Sequence, residues 1–154
     1  MKISSKGYYA IKALLDIAVN FTGKHIPLST ISERQHIPLN YLEQLFVRLR
    51  RAKIVQSMRG PKGGYRLLKT SKEISIKSVI KALDISMAPV FCVDEDHAEK
   101  ACEHLSGCIS YILWKKVGIQ ITQLLESITI ADLIAEGGKT KTKGVLDHDY
   151  IFYI

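Results

Sequence analysis

Cys92, Cys102 and Cys108 are the only cysteines in the chain, and they crowd into one short stretch. An odd number of thiols grouped in one loop argues against a disulfide framework and for metal or thiol chemistry. Thiolates are soft ligands that suit iron-sulfur clusters or zinc, and a histidine can replace a cysteine on one iron. Zinc would need four compact ligands, which these cysteines with His97 or His104 would supply. The paired C-x-x-C spacing of common zinc modules is absent, since nine residues separate the first two cysteines and five the last two. Unliganded thiols are the third reading, and on the residues alone all three stay open.

A second chemistry is carried by charge. The net charge is +7, but residues 1–75 hold 14 basic and 4 acidic side chains while the remainder holds 8 and 11. The front half is therefore built to meet a polyanion and the back half has a different task. No acid occurs between Glu43 and Glu73, an interval that contains Arg48, Arg50, Arg51, Arg59, Lys62 and Arg66. Charge alone would equally fit a solvated basic face. The elements that carry these residues decide between the two.

Ile11, Leu14, Leu15, Ala18 and Val19 recur at helical spacing and predict a helix over 5–21, closed at Gly23. A shorter helix begins at Leu28, with Thr30 and Glu33 spaced as a capping box. After the His36 to Leu39 turn, Leu42, Leu45, Phe46 and Leu49 form the inward stripe of a third helix starting near Asn40. Asn40 and Glu43 are spaced as a second capping box. Two helices joined by a tight turn, the second with a polar and basic outer face, make a helix-turn-helix that lays side chains along base edges. The run Ile54 to Met58, the turn Arg59-Gly60-Pro61-Lys62-Gly63-Gly64 and the run Tyr65 to Leu68 read as a hairpin, the wing of a winged helix. Its glycines and proline allow a tight turn and close approach to phosphates.

A fourth helix is expected over 76–83 with Ser75 as cap, then an irregular cysteine loop over 90–107. Beyond it Ile109, Leu113, Val117, Ile121, Leu124 and Ile128 form the stripe of a long helix, too apolar to stand bare and suited to homodimerisation. Thr129 and Asp132 cap a further short helix, and Gly137 to Gly144 read as a linker before an apolar end. The expected fold is mainly α with a small β-hairpin wing. It divides into a winged helix-turn-helix DNA-binding domain (1–84), a cysteine loop (85–108), a long dimerisation helix with a short capping helix (109–136) and a tail (137–154). With 47% hydrophobic residues, the chain has enough apolar content for a core, and disorder is excluded as the default. No membrane-length apolar run or secretory leader is read in it, so a cytoplasmic protein is expected.

On this arrangement Asn40 and Gln44 are the best direct readers of base edges, their amides suiting adenine. Tyr41, Glu43, Arg48 and Arg51 share the recognition helix, and Lys6, Arg50, Lys62 and Arg66 supply charge. Arg59, with Gly60, Pro61 and Lys62 beside it, is positioned for a phosphate or a narrow minor groove. An enzyme is not expected: no phosphate-binding glycine loop opens a helix and no nucleophile elbow appears. A protein-interaction winged helix without DNA affinity is disfavoured by the acid-free interval.

Ser5-Lys6-Gly7 leading into Tyr9-Ala10, Ile31-Ser32-Glu33-Arg34-Gln35, Tyr41 to Phe46, Arg48-Leu49-Arg50 and Arg59-Gly60-Pro61-Lys62-Gly63-Gly64-Tyr65 together resemble the IscR-type family of iron-sulfur transcription regulators. The resemblance covers about residues 1–135 and extends to nitric oxide sensors and iron-response regulators (the NsrR and RirA types). It implies a dimeric bacterial winged-helix repressor or activator of iron-sulfur cluster biogenesis genes that reports cluster status through a bound 2Fe-2S cluster. Cys92, Cys102 and Cys108 stand in the places of the family's three cysteine ligands. The family's histidine three residues after the last cysteine is replaced here by Tyr111, which bears on coordination and on cluster type, 2Fe-2S or 4Fe-4S. His104 and then His97 are the leading candidates for the fourth ligand, with Asp94, Asp96, Glu103, Tyr111 itself and a group from a partner's first helix as alternatives. In IscR-type proteins the glutamate matching Glu43 discriminates between two operator classes. The alternative function is a winged-helix regulator whose zinc-bound or free thiols sense redox or nitric oxide.

Overall fold

A computed structural model of the chain describes residues 4–94 and 107–139. Its helices are α1 (Ser5–Asn20), α2 (Leu28–Gln35), α3 (Leu39–Arg51), α4 (Ile76–Ala82), α5 (Ile109–Ser127) and α6 (Ile130–Lys139), with strands β1 (Val55–Met58) and β2 (Gly64–Leu67) between α3 and α4. Single 3-10 turns lie at Ser71–Glu73 and Phe91–Val93. Mainly helical structure with one hairpin is the fold class expected from the sequence.

The core is made where the sequence stripes predict it. Leu14 and Ile17 of α1, Ile31 of α2, and Leu42, Phe46 and Leu49 of α3 are fully buried, together with Val55, Ile74, Val79 and Ile130. Phe46 also meets the Tyr65 ring edge-on, with centroids 4.9 Å apart, so α3 and the hairpin share one aromatic contact.

Helix starts differ from expectation in two places, for one reason. α2 and α3 follow Pro27 and Pro38, which stand at the N-cap positions with no side-chain cap bond. A proline brings its backbone already set near helical φ and has no amide to satisfy, so it opens a helix without a capping side chain. Thr30 and Glu33 therefore lie inside α2, and no capping box joins them. Asn40 lies in the first turn of α3, where its Oδ1 accepts from the Tyr41 amide at 2.9 Å; it does not box with Glu43. The caps expected at Ser75 and Thr129 are both present. The Ser75 hydroxyl accepts from the Ser78 amide, while the Thr129 and Asp132 side chains exchange bonds with each other's backbone amides at 2.8 and 3.2 Å. α6 continues through Gly137 and Gly138 to Lys139, residues read from sequence as the start of a linker; the rest of that expected tail lies outside the described residues.

The hairpin is antiparallel, with Val55 opposite Leu67 and Met58 opposite Gly64. A contact not read from the sequence extends it. Ile26 and Tyr65 exchange backbone hydrogen bonds of 2.9 and 2.8 Å, which fastens the wing to the segment before α2. Gly64 makes this possible, because its φ is +148° and an added Cβ would lie 2.4 Å from the Ile26 carbonyl. That glycine is required by the protein's own backbone.

Candidate nucleic-acid interface and cysteine segment

The recognition helix is oriented by what its inner face buries. With Leu42, Leu45, Phe46 and Leu49 in the core, the opposite arc at ~100° per residue carries Asn40, Gln44, Val47 and Arg51, with Glu43 at one margin. All five are exposed. Arg50, on Glu43's side, reaches the Ser57 hydroxyl at 3.4 Å. At the wing tip Arg59, Gly60, Pro61 and Lys62 are exposed, and the Gly63 amide closes the turn on the Gly60 carbonyl at 2.8 Å. Lys6 is exposed in the first turn of α1. Arg66 is half-buried and donates to the Gln56 side-chain oxygen across the hairpin, in the amide orientation that satisfies both groups.

Two residues expected at the DNA surface also have partners within the chain. Tyr41 is half-buried against the edge of Tyr9, ring centroids 5.7 Å apart. Arg48 donates to the Leu83 carbonyl at 3.1 Å and to the Asp84 carboxylate at 2.6 Å. Both lie on the flank of α3 turned toward α1 and the end of α4. Hydrophobic periodicity located the inner stripe, but the partners of a flank are set by tertiary packing.

Sequence reasoning also missed Asp16. It is 3% exposed and accepts from Arg34 through both Nε (3.0 Å) and Nη2 (2.5 Å) and from Gln35 Nε2 (2.7 Å). Planar two-point pairing of guanidinium with carboxylate fixes direction as well as distance, so this clasp sets α2, and hence the helix-turn-helix, against α1. The available signal was an acid at position 16 inside an otherwise apolar helical stripe.

The cysteine segment leaves α4 at Leu83 and runs to Cys92 in the Phe91–Val93 turn. That turn packs on α5, with Pro89 and Val93 beside Gly118. Cys108 is the N-cap residue of α5. Cys92 and Cys108 are both free, half-buried thiols. The Ser110 hydroxyl, 3.2 Å from Cys108 Sγ, together with the Tyr111 and Ser110 amides, holds the Cys108 thiol below its ordinary range, favouring the thiolate that binds metals and attacks electrophiles. Tyr111 stands one turn along α5, its ring 5.9 Å from the Lys115 ammonium. Two soft donors, one biased toward its anion, suit an iron-sulfur cluster or zinc in kind. Among the described residues no three Cys, His, Asp or Glu side chains converge on a common point. Cys102, His97, His104, Asp96 and Glu103 lie outside the described residues.

α5 itself has no buried residue. Ile109 is 84% exposed, and Ile112, Leu113 and Leu124 are each more than half exposed. α4 and α5 pack together, and backbone bonds from the Ile76 amide to Ile128 O and from the Ile130 amide to Ile74 O tie the far end of α5 to the winged helix.

A helix-turn-helix with an exposed polar face, an antiparallel basic wing and an appended long helix defines a winged-helix transcription regulator. The chain belongs to the Rrf2 family, whose description is iron-dependent transcriptional regulator and whose pattern matches residues 3–136. It is 41% identical over 135 residues to the HTH-type transcriptional regulator IscR of Sodalis glossinidius, covering 88% of this chain and 79% of that one. It is 42% identical over 134 residues to a putative HTH-type transcriptional regulator of Haemophilus influenzae, covering 87% of each. Among solved structures it resembles T. potens IscR (TM-score 0.73, 30% identity, 94% and 93% of the two chains). It also resembles CymR, the global cysteine regulator of B. subtilis (TM-score 0.72, 28% identity, 88% and 98%). Among the described residues no helix is long and apolar enough to cross a membrane.

Proposed function

We propose that the chain is a homodimeric, sequence-specific DNA-binding regulator in which Cys92, Cys102 and Cys108 hold an iron-sulfur cluster whose presence changes the choice of DNA site. The observation that carries the DNA part is the exposed arc Asn40, Glu43, Gln44 and Arg51 beside the exposed Arg59 and Lys62 of the wing. Amide side chains pair with adenine edges and arginine with guanine or a narrow minor groove. Glu43 accepts from cytosine and repels phosphate, a discriminating role. The exposed apolar face of α5 supports the dimer, because a second copy would remove Ile109, Leu113 and Leu124 from water and set two recognition helices at a fixed spacing.

The relatives named IscR and the donor chemistry of the thiols support the cluster. When bound, such a cluster would supply a one-electron and iron-supply signal; the chain contributes thiolate donors, of which Cys92 lies in the turn packed on α5 and Cys108 caps α5. His104 and His97 are the proposed sources of a fourth ligand, and iron-sulfur biogenesis genes the proposed targets. A second reading follows from the lowered Cys108 thiol and from the likeness to CymR: the cysteines sense thiol oxidation without iron. The test is anaerobic purification with iron, acid-labile sulfide and zinc quantified per chain, beside Cys92→Ala. Iron with matching sulfide that Cys92→Ala loses supports the cluster. Zinc alone, or no metal where clusters are supplied, rejects it in favour of zinc-bound or free thiols.

A further inference from the structure

We propose that Asp84 competes with DNA phosphate for Arg48, so that the start of the cysteine segment sets how firmly the recognition helix holds the DNA backbone. Arg48 is the one basic residue of α3 on the flank facing α4, and its Nη1 is engaged at 2.6 Å by Asp84 and at 3.1 Å by the Leu83 carbonyl. The Arg48 side chain is 40% exposed and that of Asp84 83%, so the pair sits at the surface, where a phosphate can reach the guanidinium. Exchange of one anion for another at such a site costs little, because a surface pair is weak.

The position of Asp84 gives the exchange its meaning. Leu83 is the C-cap of α4, and Asp84 turns the chain with φ +53°, a left-handed conformation that non-glycine residues seldom adopt. The next residue, Ile85, lies against Gly7 of α1, where an added Cβ would be 3.4 Å from its Cδ1 and 2.9 Å from that of Ile80. The segment that leads to Cys92 is thus anchored between α1 and α3 at its first two residues. A shift of this segment moves the Asp84 carboxylate relative to Arg48, while the inner stripe of α3 stays in the core. The inference rests on the DNA-binding reading and not on the cluster.

The experiment uses a labelled mixed-sequence duplex, because phosphate contacts are independent of sequence. Affinity is measured across a salt series for the full chain, Asp84→Asn, Arg48→Ala and the double variant. Asparagine tolerates the left-handed region nearly as well as any residue other than glycine, so Asp84→Asn removes the charge and keeps the turn. The expected result is a gain of about two- to fivefold at low salt for Asp84→Asn, with the logarithmic salt slope steeper by about 0.9 per added phosphate contact. Arg48→Ala should abolish both changes. An equal gain with and without Arg48 would reduce the effect to the loss of one negative charge and overturn the proposal, as would an unchanged affinity and slope in Asp84→Asn. Loss of all DNA binding by the full chain would instead defeat the DNA-binding reading itself.

Discussion

The winged helix and the α5 region both carry apolar stripes at helical spacing and end in opposite states. α3 is only 13 residues long and buries four side chains; α5 is 19 residues long and buries none. In the first case the hydrophobic stripe meets α1, α2 and the hairpin of its own chain. In the second it meets α4 and the cysteine segment on one side and water on the other. Apolar periodicity specifies a helix and an inner face, but not whose surface that face will meet.

The largest effect expected from breaking this contrast is in the core of the front half. Phe46→Ala should cost about 3–5 kcal/mol in unfolding free energy, read by denaturant titration, and should remove DNA binding with it because Phe46 also supports the Tyr65 end of the wing. Asp16→Ala should cost about 1–3 kcal/mol, since it leaves the buried Gln35 amide without its acceptor while the part-exposed Arg34 stays hydrated. In the back half, Leu113→Glu with Leu124→Glu should leave the secondary structure intact and convert the proposed dimer to a monomer in sedimentation. A dimer that survives would place the interface elsewhere. Arg59→Ala should weaken binding by about 1–3 kcal/mol in a sequence-dependent way if the wing reads groove width or a base, and uniformly if it touches only phosphate.

The smallest effect concerns α6. Bonds from the Thr129 hydroxyl and amide hold the Asp132 carboxyl below its ordinary range. A carboxylate lowered in the folded state adds stability at pH above its unfolded value and loses it as pH falls through its folded value. Fraying of α6 should therefore appear on acidification below the ordinary aspartate range, and Asp132→Asn should remove that dependence in amide exchange.

Much of the front half was legible because its signals are local. The α3 stripe, the Ser75 cap and the glycine-proline turn each follow from residues a few positions apart, as does the Thr129 cap in the back half. Pro27 and Pro38 displaced the expected capping boxes. What local signals did not carry was set by neighbours distant in sequence: Gly64 makes room for the Ile26 backbone, and Tyr41 and Arg48 have intrachain partners in Tyr9 and Asp84. In the cysteine segment the residue types offered metal and thiol chemistry side by side, and no local signal in the sequence showed that Cys108 caps α5 or that the Cys92 turn packs on it. Cys102 and the loop histidines lie outside the described residues.

The most direct test of a sensor in the back half governing a reader in the front half is selection of duplexes from a random library by one anaerobic preparation, before and after metal is stripped with a chelator, with the helical content of both samples checked. A change in the selected sequences between the two samples, lost in Glu43→Ala, is the expected result. Identical selected sequences from metal-loaded and stripped protein would contradict it, leaving a DNA-binding regulator whose cysteines do not govern which site it reads.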